Sequence, residues 1–416
     1  MDLYTRRRFL LASGVAAGGA LAAGAGAIGL AELLRSASGE PPAGDRPVDT
    51  VVLVTLYGGN DGLNTLIPYA DDAYHSARPE LAYPPERVLR LDDSVGLNPM
   101  LRGLKQLWDG GKLAIVQGVG YPRPDRSHFR SMDIWQTASP AEPVPTGWVG
   151  RWLDGTAAPV EAAVSFEPVL PPLLVGKSRV GACVSYRGLS LPNWIDASVV
   201  AGLGRPQPGE PEMFARAAAA YADLLSMSAV IGDAENTQPS NTTGPDVPAT
   251  GTGGANALTT QLALVARCVE VGVPTRVYSV SLGGFDTHAQ EVVAQEALLG
   301  QLDQALAGFA TRMAGSTAGR RVAVVVYSEF GRRVRANASQ GTDHGTAGPV
   351  FVLGDRVLGG LYGEHPSLTD LDHDDLKATT DFRDVFGTVL TSVLGVEASR
   401  YIDDHELRSL PLFATA

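Results

Sequence analysis

Thr50-Val51-Val52-Leu53-Val54-Thr55-Leu56 is a short, continuous run of β-branched and aliphatic residues. It lacks the polar alternation of a half-exposed strand. It therefore reads as a strand buried on both faces, the kind that helices cover in a parallel sheet. The run ends in Gly58-Gly59-Asn60-Asp61-Gly62, a loop whose glycines permit backbone angles that other residues resist. A buried strand, a glycine turn and then an acid is the pattern to look for elsewhere.

The pattern recurs outward from that stretch. A helix over 101–108 precedes a second buried strand over 112–119, and a turn with Pro122 and Pro124 leads into a helix over 127–137. Further on, a helix over 258–271 precedes a strand over 276–282, and a helix over 292–313 precedes a strand over 321–327. Short strands over 350–353 and 357–361 follow. A closing helix starts near Thr380-Asp381, with Phe382, Val385, Phe386, Val389, Leu390 and Val393 on one face. Strands alternating with helices predict an α/β fold, a mostly parallel sheet sandwiched by helices. The predicted domain is single and spans 49–416. Residues 140–205 read as irregular with short strands, 210–230 as an Ala-rich helix, and the polar 233–256 as a loop insertion.

The N-terminus has a different composition. Thr5-Arg6-Arg7-Arg8-Phe9-Leu10 leads into an uncharged Gly/Ala-rich stretch, the pattern of a twin-arginine signal peptide over 1–38, with a linker over 39–48. Small-residue cleavage sites stand at Ala25-Gly26-Ala27 and near Ser36-Ala37-Ser38. The stretch is less apolar than a membrane span, so no stable membrane anchor is expected. The twin-arginine export machinery is the expected partner, and the periplasm, cell envelope or exterior the expected address. The whole chain carries a formal charge of -12, and residues 1–38 hold more Arg than acid, so the remainder is more acidic still. That balance argues against nucleic acid as a partner. The two cysteines, Cys183 and Cys268, read as buried thiols, and one disulfide is compatible with export.

Ligands of open α/β sheets sit at the carboxyl ends of the strands. Here those ends carry acids and imidazoles among glycines. They are Asn60-Asp61 after the first strand, Gly283-Gly284-Phe285-Asp286-Thr287-His288 after 276–282, and Ser328-Glu329-Phe330-Gly331-Arg332 after 321–327; Gly341-Thr342-Asp343-His344-Gly345-Thr346 lies a little beyond. Carboxylate oxygens with neutral imidazole nitrogens suit a divalent metal, zinc first, with manganese or iron as alternatives. Asp286, His288 and His344 form the expected site. Ser127 stands at a helix N-terminus, where free amides and the helix dipole favour an anion, with Arg126 and Arg130 beside it. It reads either as a nucleophile or as a helix cap. His128 reads as a ligand, an acid/base group or a packed ring. Arg332, Arg333 and Arg335 read either as an anion site or as a solvated run. Trp148 and Trp152 read as core or as the lining of a sugar site. Asp370, Asp372, Asp374 and Asp375 read as acids ahead of a helix.

Five stretches resemble the DUF1501 family, of the alkaline phosphatase/sulfatase-like superfamily. They are Leu56-Tyr57-Gly58-Gly59-Asn60-Asp61-Gly62-Leu63-Asn64, Arg126-Ser127-His128-Phe129, Gly283-Gly284-Phe285-Asp286-Thr287-His288, Ser328-Glu329-Phe330-Gly331-Arg332 and Gly341-Thr342-Asp343-His344-Gly345-Thr346. The resemblance implies an alkaline phosphatase-like fold, two metal sites and a nucleophile at a helix start. Carried over, Asp286, His288 and His344 would hold one metal, Asp61 and Glu329 would belong to the other, and Ser127 would be the nucleophile. Arg126, Arg130 and Arg332 would face the anion. The second site departs from the pattern, because Glu329-Phe330-Gly331 stands where Asp-His-Gly is expected. Asp343-His344-Gly345 is an alternative carrier of that motif. The implied activity is hydrolysis of a phosphate or sulfate ester, small-molecule or polymer. The alternative is an exported binding or assembly protein of the same fold in which catalysis has lapsed.

Overall fold

The computed structural model describes Leu33, Ser36 and residues 48–156, 158–167, 169–184 and 257–415. The expected signal peptide (apart from Leu33 and Ser36), the linker (apart from Val48), the 210–230 helix and the 233–256 loop lie outside the described residues.

In chain order the first half runs β1 (Thr50–Leu56), α1 (Gly62–Thr65), β2 (Leu66–Ile67), α2 (Asp72–Ala77), β3 (Leu89–Arg90) and β4 (Gly96–Leu97), then α3 (Arg102–Asp109), β5 (Leu113–Gly120), α4 (His128–Thr137), α5 (Trp148–Thr156), β6 (Ala163–Ser165) and β7 (Ala182–Cys183). The second half runs α6 (Ala257–Glu270), β8 (Val277–Leu282), α7 (Glu291–Ala314), β9 (Val322–Ser328), β10 (Gly348–Leu353), β11 (Gly360–Tyr362), β12 (Thr380–Asp381) and α8 (Phe382–Thr388). Nine strands form the main sheet in the order β11-β5-β10-β9-β1-β8-β6-β7, with β12 added beside β5. Every pairing is parallel except those of β10, which runs antiparallel to both β5 and β9.

The opening run is central in this sheet, and all seven of its residues are buried. Successive side chains of a strand point to opposite faces. Val52, Val54 and Leu56 join the core that includes residues of α6 and α7, such as Leu262, Leu299 and Leu306. Val51 and Leu53 join the other core, with Trp135 of α4, Trp148 of α5 and Phe382 of α8. Covering both faces is why β1 has no polar alternation. The small sheet of β2, β4 and β3, with α1 and α2, is an addition that the sequence pattern did not announce.

Residues 148–156, expected to be irregular, form helix α5. Trp148 and Trp152 are buried in the core from that helix, so they line no sugar site. Cys183 and Cys268 are free thiols, Cys268 fully buried. Among the described residues no helix is long and apolar enough to cross a membrane.

Candidate metal centre

Strands β8, β1 and β9 are neighbours, with Leu56 in register with both Leu282 and Ser328. The three strands thus end level, and the loops that follow them meet. Gly58, at φ +114, lets the loop after β1 pass close to the loop after β8. A Cβ there would lie 2.5 Å from the backbone nitrogen of Asp286. The Arg332 guanidinium, fully buried, binds these loops together. It donates to the carbonyls of Gly58, Gly59, Phe285 and Thr342 and, at 2.9 Å, to Asp286 Oδ1. The sequence pattern leaves Arg332 as an anion site or as part of a solvated run. Its donors are instead engaged by backbone and Asp286, which corrects that expectation.

Helix α4 docks on the same edge, its Ser131 hydroxyl donating to the Glu329 carbonyl at 2.6 Å. This brings His128, the first residue of α4, against the loops. Side-chain ligand atoms of His128, Asp286 and His344 all lie within 4.8 Å of one another. His344 Nε2 is 3.0 Å from Asp286 Oδ1, and His128 Nε2 is 3.4 Å from Asp286 Oδ2. His288, more exposed, places Nε2 3.0 Å from both Asp286 Oδ1 and His344 Nε2.

The other nitrogen of each ring decides what these contacts mean. His344 Nδ1 lies 2.9 Å from the Arg126 carbonyl, and a carbonyl only accepts. Nδ1 therefore carries the proton, and the neutral ring presents a bare lone pair at Nε2. His128 Nδ1 lies 2.9 Å from Glu329 Oε1, again an acceptor, so in the neutral ring its Nε2 is bare as well. That nitrogen is buried and has no hydrogen-bond partner. The two Nε2 atoms thus converge on the Asp286 carboxylate, whose Oδ1 also accepts from Arg332 and meets the more exposed His288 Nε2.

The separations fit a metal. Four ligands on bonds of 2.0–2.1 Å in a tetrahedron stand about 3.3 Å apart. The observed contacts with Asp286 are 3.0 and 3.4 Å. An imidazole whose far nitrogen donates to a carboxylate or carbonyl is the usual arrangement around bound metals.

The same contacts set the electrostatics. Burial alone would raise the Asp286 carboxyl, but the neighbouring His344 and Arg332 side chains outweigh it and hold it at about 2. The Glu329 hydrogen bond lifts His128 above the ordinary imidazole value, against the opposing effect of burial. Burial lowers His344.

The other expected residues fall around this centre rather than in it. Asp61 caps α1 through Leu63 N and pairs with Arg78 Nη1 at 2.6 Å, both side chains fully buried. Its carboxylate is committed to that pair, so the structure does not bring it to the centre. Glu329 is buried and accepts from Gly58 N at 2.8 Å as well as from His128. Asp343 sits on the outer side of His288, 3.5 Å from its Nδ1. Ser127 occupies the N-cap position of α4, exposed, and its side chain makes no capping bond. It lies between Arg126 and His128 in the chain. Arg126 pairs with the buried Asp375, and Arg130 with Asp133. His128 is the member whose role the sequence left open. Its signal was the helix start in Arg126-Ser127-His128-Phe129.

Fold and centre together define an α/β protein with an imidazole–carboxylate cluster at the carboxyl edge of a mostly parallel sheet. The chain belongs to the family described as "Protein of unknown function (DUF1501)", which matches residues 191–412. No curated protein matches it. Among solved structures it is similar to a protein in the alkaline phosphatase superfamily from Vibrio parahaemolyticus, at 10% identity and a TM-score of 0.40, covering 88% of this chain and 74% of the other. A phosphonate monoester hydrolase from Silicibacter pomeroyi gives 10% identity and a TM-score of 0.36, over 84% and 74%. These overlaps are partial, and the role of each residue rests on its own contacts.

Proposed function

We propose that this chain is an exported, metal-dependent hydrolase of phosphate or sulfate esters. One observation carries the reading: the Nε2 atoms of His128 and His344 converge on Asp286, each ring fixed by an acceptor at Nδ1. His128, Asp286 and His344 would hold the ion, with His288 completing the set from the more exposed side. Nitrogen-rich ligation with one carboxylate suits zinc, with manganese or iron as alternatives. When bound, the ion would supply Lewis acidity toward an ester oxygen. Ser127, its hydroxyl free of any cap bond at the start of α4, would attack the phosphorus or sulfur and displace the alcohol, which takes up a proton as the serine loses one. Water would then release phosphate or sulfate and restore the hydroxyl. The amides of that helix start would face the anion. Arg126 and Arg130, each already paired with an acid, would add only partial charge. The twin-arginine pattern supports export, and the folded-state passage of that route would allow the ion to be loaded first.

A second reading keeps the fold without turnover, as an exported binding or assembly protein. Phe330 favours it, because a buried ring stands where the resemblance expects a ligand. The deciding experiment is a screen of phosphate and sulfate esters with the metal-loaded chain, its Ser127→Ala variant and its His344→Ala variant. Hydrolysis that both substitutions abolish supports the enzyme. Absence of turnover across the panel from chain shown to hold its ion sinks it.

A further inference from the structure

We propose that the centre holds a single ion, and that Glu329 serves it as a positioning carboxylate behind His128 and not as a ligand of a second ion. The inference rests on the metal reading above but not on any ester being the substrate.

Glu329 immediately follows β9, where a strand-end acid would be expected to bind metal. Oε1 is already engaged twice, while Oε2 faces the Ser328 hydroxyl, whose single proton is shared with the Leu56 carbonyl at 2.7 Å. Oε1 accepts from Gly58 N at 2.8 Å and lies 2.9 Å from His128 Nδ1. Oε2 lies 3.0 Å from the Ser328 hydroxyl. The side chain is 1% exposed, so a second ion and its remaining ligands would need space that is filled.

Phe330 does the filling. Its ring lies 5.0 Å from that of His128 and 4.8 Å from that of His344. On its other side the chain at Gly59 is so close that a Cβ there would come within 2.2 Å of the ring edge. The ring is thus wedged between the two imidazoles and the first glycine loop. Among the described residues, His128, Asp286 and His344 are the one group of three or more His, Cys, Asp or Glu side chains placed to hold an ion.

In this arrangement the negative charge of Glu329 acts through the imidazole. It holds the proton on Nδ1, points the ring, and makes Nε2 a better donor to a cation. Outer-shell partners of this kind change metal affinity by roughly 10–100-fold when removed.

The test is Glu329→Gln, which keeps the shape and one acceptor oxygen, removes the charge and turns the other oxygen into a donor. Zinc binding to the purified full chain is followed by calorimetric titration, with bound metal counted after dialysis. Glu167→Gln is the control, since Glu167 is equally buried but bonds Ser279 and Tyr57 away from the cluster. The expected result is one ion per chain in all three proteins. Zinc affinity should fall roughly tenfold or more in Glu329→Gln alone, with the metal-free thermal midpoint of that variant close to that of the control. Two ions in the parent chain, or loss of one of two in Glu329→Gln, would overturn the inference. So would unchanged affinity in Glu329→Gln. A chain that binds no divalent ion overturns it together with the metal reading. A chain that behaves as expected yet hydrolyses no ester leaves it standing and removes only the hydrolase.

Discussion

His128 and Asp61 show what one side chain's partners decide. Glu329 holds His128 Nδ1 and so aims the ring's Nε2 at Asp286, whereas Arg78 holds the Asp61 carboxylate away from any such role. Both partners are long-range: Glu329 lies 201 residues from His128, and Arg78 seventeen from Asp61. No local pattern discloses such pairings. Asp286, His288 and His344 were legible because acids and imidazoles among glycines at strand ends have few other uses. A further buried acid has a consequence for stability. Burial, with Asp61 nearby, pushes Glu291 up to about 9, while Thr342 donates to it at 2.6 Å. The folded chain therefore holds this proton where the unfolded chain releases it, and stability falls as pH rises from the unfolded carboxyl value toward 9. Glu291→Gln should flatten that decline in urea melts run between about pH 5 and about pH 9. An unchanged slope would mean that Glu291 is ionised in the folded chain.

At the scale of elements, β1, β5, β8 and β9 were readable because strands buried on both faces are continuous apolar runs. Helix α5 was not. Gly150 and Gly155 lie inside it, and each costs about 1 kcal/mol of helix propensity relative to Ala. In the structure Gly150 lets the helix touch the chain at Val175, where a Cβ would come within 2.1 Å of the carbonyl carbon. Close packing, invisible in a local pattern, outweighed helix propensity. The same physics applies at the first glycine loop. Gly58→Ala puts a Cβ against the Asp286 backbone at a φ that L-residues resist. It should weaken zinc binding as well as lower the thermal midpoint, because the loop carrying Asp286 has to move. A midpoint shift with unchanged zinc affinity would show that the two loops are not coupled.

For the molecule as a whole, the sheet brings residues from both halves of the sequence to one edge, so the centre forms only when the fold does. The N-terminal region bears on this too. Leu33 lies within the expected signal, yet it is buried in the core beside α6 and α7, and its carbonyl accepts from the Ser36 hydroxyl at 2.6 Å. Removal of the signal at Ala25-Gly26-Ala27 would keep that contact, and removal near Ser36-Ala37-Ser38 would discard it. N-terminal sequencing of exported protein is expected to begin just after Ala27. A start after Ser38 would show that the core does without Leu33. The central claim concerns the ion itself. It is tested most directly by an anomalous difference map from crystals of the zinc-loaded chain. The account requires one peak, about 2 Å from the Nε2 atoms of His128 and His344 and from an Asp286 oxygen. No peak there, or a second peak at Glu329, would contradict it.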